Sequence, residues 1–285
     1  MPSFLLLLAK SIMASTYDVF SGFYNRKKAS PYKFCFAVAL AVFLFFLFSS
    51  GFSLNFNTYT LLWATMYGVC YFLSSATYQV AVRCGSVSLT ALLSYYSLAV
   101  PTFFSIIAYN EHPAWTFYIG FALLCISLFL IGYPRKEKEK GVTLKWLFWA
   151  IIMLLTNGGC GVVMTHYIKL YGDEFNCEFM LIAMALVMAF MLIMIIADRK
   201  TKYDATTLWA SWGLIAGGFN GALHLLSIIL LGLISPSIYY PTSAGLTILV
   251  TIVASRIFFK EKSDLLGKIA ILFGIASVIL LNLYT

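Results

Sequence analysis

The sequence predicts an all-α polytopic membrane protein of ten transmembrane helices, arranged as two inverted five-helix repeats. Three observations predict it: the composition, the spacing of the apolar runs, and the uneven distribution of charge among the loops. Of 285 residues, 61% are hydrophobic and 11% charged, against about 25% charged in a soluble domain. The mean hydropathy is +0.90. A soluble chain this apolar would expose patches larger than monomers tolerate. A bilayer span needs about 20 mainly apolar residues, so ten spans with short loops nearly exhaust the chain. No polar stretch remains for a soluble domain.

Apolar runs between polar breaks place helix 1 over 3–24, helix 2 over 32–50, helix 3 over 59–82, helix 4 over 86–109 and helix 5 over 115–133. Residues 1–133 form the first repeat. A charged linker, 134–145, separates it from the second repeat, 146–285. That half holds helices 6 to 10 over 146–169, 177–197, 207–231, 235–259 and 265–283. The opening run, MPSFLLLLAKSIMASTYDVF, lacks the basic start of a signal peptide and contains Lys10 and Asp18, so it reads as a retained helix.

Ten spans put alternate loops on opposite sides. The side holding loops 1–2, 3–4, 5–6, 7–8 and 9–10 receives 17 Lys and Arg residues, and the other side only Lys169. The positive-inside rule therefore makes these odd-numbered loops cytoplasmic and turns both termini away from the cytoplasm. The net charge of +8 sits beside helix ends, where anionic headgroups of a lipid bilayer meet it. It is not read as a nucleic-acid surface. The six cysteines include no CxxC pair and read as small apolar side chains, not as a disulfide framework or metal site.

The halves are related. At an offset of 150, Ser105, Ile107, Glu111, Ile119 and Ser127 fall on Ser255, Ile257, Glu261, Ile269 and Ser277. At an offset of 146, Leu62-Trp63-Ala64 falls on Leu208-Trp209-Ala210. Five helices is an odd number, so two such halves insert with opposite orientation, the plan of many secondary transporters.

From Tyr67 to Gly132 the chain resembles the drug/metabolite transporter superfamily, in particular its EamA-type ten-helix members. The features are a small-rich helix, a tight turn, a mid-helix Pro101, Glu111 ten residues later, and a glycine-containing final helix. The counterpart runs from Thr251 to Leu281 with Glu261, Gly267 and Gly274. Two departures stand out. Thr251 occupies the position matching Pro101, the second-half proline being Pro241, and family members usually keep both termini cytoplasmic. The resemblance implies alternating-access transport of a small organic metabolite, amino acid or amine. It also implies a central cavity among helices 1, 3, 4, 6, 8 and 9.

Ionisable groups inside a bilayer cost about 2.5–3.5 kcal/mol at the helix centre on insertion scales, so each asks for a reason. Lys10 and Asp18 share helix 1. They either line a cavity and couple transport to protons or another ion, or lie toward the interface, with Lys10 snorkelling and Asp18 beside Arg26 and Lys27. In helix 8, Gly213, Gly217, Asn220, Gly221 and His224 recur at helical spacing as one small-and-polar face. Helix 3 carries Tyr71, Ser75 and Tyr78, and helix 4 carries Tyr95. In helix 6, Asn157-Gly158-Gly159-Cys160-Gly161 either breaks to offer backbone groups or permits close packing. Tyr239 and Tyr240 read as an interfacial belt, with Tyr240 retained as a candidate. The candidate substrate contacts are thus Tyr71, Ser75, Tyr78, Tyr95, Asn157, Asn220, His224 and Tyr240. Glu111 and Glu261 read as acids complementing the dipoles of helices 5 and 10, with Asp264 a plausible cap.

No phosphate loop, HExxH or G-x-S-x-G motif occurs, and the three histidines lack metal-ligand spacing. No cofactor, metal or catalytic role is expected. The compact loops suit a bacterial inner membrane, and a monomer or homodimer fits equally. The alternative reading is an integral-membrane enzyme, hinted at by His166 with Asp173 and Glu174, or a non-transporting receptor or scaffold.

Overall fold

The computed structural model describes residues 2–25, 30–55, 57–84, 87–132, 143–172, 175–198, 208–259 and 265–282. Among these the chain is all-helical and has no strand. The first half supplies α1 (Pro2–Asn25), α2 (Pro31–Ser49), α3 (Thr58–Cys84), α4 (Val87–Tyr96), α5 (Ala99–Ala108) and α6 (Trp115–Gly132). The second supplies α7 (Leu144–Tyr171), α8 (Asn176–Ala197), α9 (Leu208–Leu233), α10 (Pro236–Phe259) and α11 (Leu265–Asn282). Residues 134–142 of the linker, and Asp173, Glu174, Glu261 and Asp264, lie outside the described residues.

One boundary differs from the sequence reading. The helix expected over 86–109 is two helices, α4 and α5, with a turn at Ser97 and Leu98. Pro101 has no N–H to donate, and its ring crowds the carbonyl four residues back. The Ser97 carbonyl accepts instead from Val100 N at 3.1 Å, and Leu98 N donates to Tyr95 O at 3.3 Å. Thr251 stands at the matching place in α10, and that helix runs unbroken to Phe259.

Among the described residues, five helices are long and apolar enough to cross a membrane: α1, α2, α7, α8 and α9. Shorter apolar stretches occur at 93–108, 115–130 and 271–281. Outward faces are apolar too. On α7, Leu144, Phe148, Ile151 and Leu155 are all exposed, and their spacing of three or four residues sets them on one stripe. Large apolar groups on the outside are what lipid, not water, accommodates.

The most extensive pairings are α6 with α11, α2 with α9, α3 with α7, α1 with α9 and α2 with α8. Each joins a helix before the linker to one after it, so the two halves interleave. Small residues make the approach possible. A Cβ added to Gly217 on α9 would stand 2.5 Å from Ala41 Cβ and 2.7 Å from the Val38 carbonyl of α2. Behind these contacts lies an aromatic and Met-rich core, in which the rings of Tyr167 and Phe179 stack at 4.4 Å beside fully buried Met180, Met184 and Met191.

This packing makes a matched pair of substitutions informative. Gly217→Ala should destabilise the protein by about 1–3 kcal/mol, the usual cost of overpacking. Gly218→Ala, with nothing within 4 Å of the added carbon, should be neutral or gain up to about 1 kcal/mol from helix propensity. Thermal unfolding in detergent measures both, and equal midpoints would show that the α2–α9 approach is not tight.

Candidate functional site

A cavity of about 370 Å³ lies inside the bundle. It is lined from α1, α3, α4, α5, α7, α9 and α10, so both halves of the chain contribute walls. A second cavity of about 280 Å³ shares Tyr17, Asp18, Ser94 and Tyr95 with the first. It continues to Ser21, Pro31 and Gln79, where α1 ends and α2 begins.

The α1 wall is Lys10, Ala14, Tyr17 and Asp18, at positions i, i+4, i+7 and i+8 of one helical face. The interfacial reading of Lys10 and Asp18 is therefore replaced: both side chains face the interior. Opposite them, α10 presents hydroxyls one turn apart. Lys10 Nζ donates to Ser243 Oγ, Thr247 Oγ1 lies 3.4 Å from Ser11 Oγ, and Thr251 Oγ1 donates to Asp18 Oδ2 at 3.4 Å. The Lys10 ammonium also sits 5.7 Å from the centre of the Tyr239 ring. Tyr239 is only 3% exposed, so the belt reading of this tyrosine is also corrected.

The break between α4 and α5 opens another wall. Ser94 O, which loses the Leu98 N–H, accepts from Ser97 Oγ at 2.6 Å and from Asn157 Nδ2 at 3.2 Å. Asn157 Nδ2 donates to Ser97 Oγ as well, at 2.6 Å. The glycines after Asn157 make room for this junction. A Cβ on Gly158 would meet Val100 Cβ at 2.5 Å, and one on Gly161 would meet Pro101 Cγ at 2.8 Å. Of the two readings of this stretch, close packing is the one observed, because α7 continues through it without a break.

On α9 the expected single face is two neighbouring stripes. Gly213, Gly217 and Gly221 meet α2, whereas Asn220 and His224 line the cavity. Asn220 Nδ2 lies 3.4 Å from the Tyr71 hydroxyl. His224 is 8% exposed, and its Nε2 is buried without a protein partner. Its ring stands edge-on to Tyr67 at 6.4 Å. A buried polar atom left unpaired costs about 1–3 kcal/mol, so this nitrogen asks for a solute or water.

The remaining candidates divide simply. Tyr95 faces both cavities, Ser75 and Tyr78 face the smaller one, and Tyr240 faces the larger. Tyr240 donates to the Gly161 carbonyl at 2.8 Å and pairs with Thr165 Oγ1 at 2.8 Å, which fixes it to α7. Tyr71 is not in either lining and reaches the site through Asn220. Residues the sequence reading missed include Tyr17, Ser94, Ser97, Ser243 and Thr247. The i, i+4, i+8 hydroxyls at 243, 247 and 251 were a readable signal, but their partners on α1 were not.

Toward the end where α5 finishes and α10 begins, polar contacts tie the halves together. Glu111 Oε2 accepts from Ser237 N, in the first turn of α10, at 3.1 Å. The expectation that Glu111 complements α6 is thus corrected. Its chain neighbours turn through Asn110 at φ 50°, carrying the carboxylate to a different helix N-terminus. Lys169 lies 3.9 Å from Glu111 and 5.3 Å from the centre of the Tyr109 ring. Tyr109 in turn bonds His166 Nδ1 at 3.0 Å. His166 is therefore engaged within the protein. Asn55 N donates to the buried Glu178 at 2.9 Å, at the first turn of α8.

No protein-family model and no curated protein matches this sequence. Twenty-eight solved chains match it in structure. One of them, a protein of known crystal structure, superposes with a TM-score of 0.78 at 10% identity, covering 100% of this chain and 99% of its own. That likeness shows the fold over its full length and nothing finer.

The Asn157 contacts generate a stability prediction. Asn157→Leu keeps the side-chain size but strips a donor from Ser94 O and Ser97 Oγ, and should cost about 1–3 kcal/mol. An unchanged unfolding midpoint would show that this amide does not hold the α4–α5 junction.

Proposed function

We propose that this protein is a membrane transporter of the drug/metabolite type, moving a small organic metabolite, amino acid or amine by alternating access. The observation that carries the reading is the central cavity, walled by both halves of the chain and furnished with Lys10, Asp18, Asn220 and His224. Charged and hydrogen-bonding groups inside an apolar bundle are expensive to keep, and a passage for a polar solute is the use that repays them.

The inverted repeat is part of this proposal, and the pairings support it. Exchanging each helix for its counterpart five spans on, with α4 and α5 counted as one, turns α2–α9 into α8–α3 and α3–α7 into α9–α1. The same exchange turns α1–α10 into α7 with α4 and α5, and all of these pairings occur. Rocking of two such halves would expose the midplane site to each side in turn. The polar ties around Glu111, and the smaller cavity running the other way, support a state open toward the end of α1. By the positive-inside count that end is cytoplasmic. Asp18 is the candidate for proton or cation coupling.

Solute flux into proteoliposomes tests the reading. Asn220→Ala and His224→Ala should each lower flux by about tenfold, equivalent to about 1.4 kcal/mol. Leu214→Ala, on the exposed outer face, should leave it unchanged. Flux untouched by the first two would sink the site assignment, and lipid turnover surviving them would indicate an enzyme instead. For sidedness, Lys138→Cys should react with an impermeant maleimide in inside-out vesicles only. Labelling in right-side-out vesicles would reverse the proposed orientation.

A further inference from the structure

We infer that the central cavity recognises a dipolar solute whose anionic and cationic groups are separated by a short carbon chain, the anion held at Lys10 and the cation at Asp18. The inference rests on the transporter reading of this cavity and names the class of solute.

Lys10 and Asp18 line the same cavity from the same helix. Among the described residues neither has a counter-ion: Lys10 has Ser243 and the face of Tyr239, and Asp18 has Thr251. They form no ion pair with each other. Eight residues of helix set their Cα atoms about 12 Å apart along the axis, and their partners Ser243 and Thr251 are likewise eight residues apart on α10. A buried charge is costly unless paired, so the two together favour a solute that brings both partners.

The ends of the cavity differ in the way such a solute requires. His224 lines the same cavity as Lys10, and its buried Nε2 has no protein partner. Lys10 and that nitrogen can donate jointly to a carboxylate. At the Asp18 end, Tyr17, Tyr78 and Tyr95 line the wall, and aromatic rings beside a carboxylate suit an ammonium group. The lining also includes small and apolar residues, Ala14 on α1, Ala244 on α10 and Leu98 at the α4–α5 turn, together with the Thr247 hydroxyl. A ligand charge placed about 3 Å from each protein charge leaves about 6 Å between its own two charges. An α-amino acid main chain holds its charges too close to reach both ends. A solute with one charge leaves the other protein charge unpaired.

The test uses the full chain purified in detergent and isothermal titration with glycine, γ-aminobutyrate, δ-aminovalerate, ε-aminocaproate, caproate and hexylamine. Affinity should peak at δ-aminovalerate or ε-aminocaproate and be at least about tenfold weaker for glycine, caproate and hexylamine. In Asp18→Asn, ε-aminocaproate should bind no better than caproate, and in Lys10→Met no better than hexylamine. Binding indifferent to chain length, equal binding of the singly charged probes, or no binding by any probe would each overturn the inference, using unsubstituted protein alone. Flux in proteoliposomes separates the two ideas. Dipolar binding without flux keeps the charge spacing and sinks the transporter, whereas flux confined to singly charged solutes sinks the charge spacing and keeps the transporter.

Discussion

A proline in mid-helix removes a donor and crowds the carbonyl four residues behind it, and the interior of an apolar bundle has no water to make good the loss. Pro101 imposes that condition beside the central cavity. The chain answers with a turn at Ser97 and Leu98, and with Asn157 from the other half of the molecule donating to Ser94 O and Ser97 Oγ. Gly158 and Gly161 then let α7 approach the junction closely enough for the amide to reach. The contact of α7 with the α4–α5 turn, and with it the shape of one cavity wall, depends on this junction. Where Thr251 stands at the matching position of the second half, α10 runs on to Phe259 and the threonine hydroxyl reaches Asp18.

The second organising constraint is polar satisfaction across the α1–α10 seam. A lysine and an aspartate in this setting would be prohibitive on a lipid-facing surface. Turned inward, each meets a hydroxyl of α10, and the serine and threonine stripe supplies those hydroxyls at one-turn intervals. Burial at this seam is thus neither a plain hydrophobic contact nor a salt bridge. It leaves both charges with remaining capacity for a third party, which is what distinguishes a binding surface from a structural ion pair.

At the end where α10 begins, the arrangement is of a different kind. Glu111 pairs with a helix N-terminus and a lysine, and a tyrosine and histidine complete the set. These contacts join the groups to one another, while Glu111 Oε1 stays buried without a hydrogen-bond partner. Because the tie joins α5, α7 and α10, it links the broken-helix junction to the first turn of the helix that carries the hydroxyl stripe.

Composition, apolar run length and loop charge are sums over local residues, and they determined the class of this protein: helical and apolar on its outside. Helical spacing likewise marked Asn220 with His224 as groups sharing a face, and the cost of burying charge singled out Lys10 and Asp18 on one helix. Tertiary structure alone decided what those faces meet. Gly217 and Asn220 are three residues apart on α9, yet one packs against α2 and the other faces the cavity, because their neighbours come from helices far away in sequence. Glu111 stands just before α6 in the chain but bonds α10, since a turn at Asn110 redirects it. Hydrophobic periodicity records which residues avoid water. It holds no record of which helix lies opposite, and a cavity is a property of opposing surfaces.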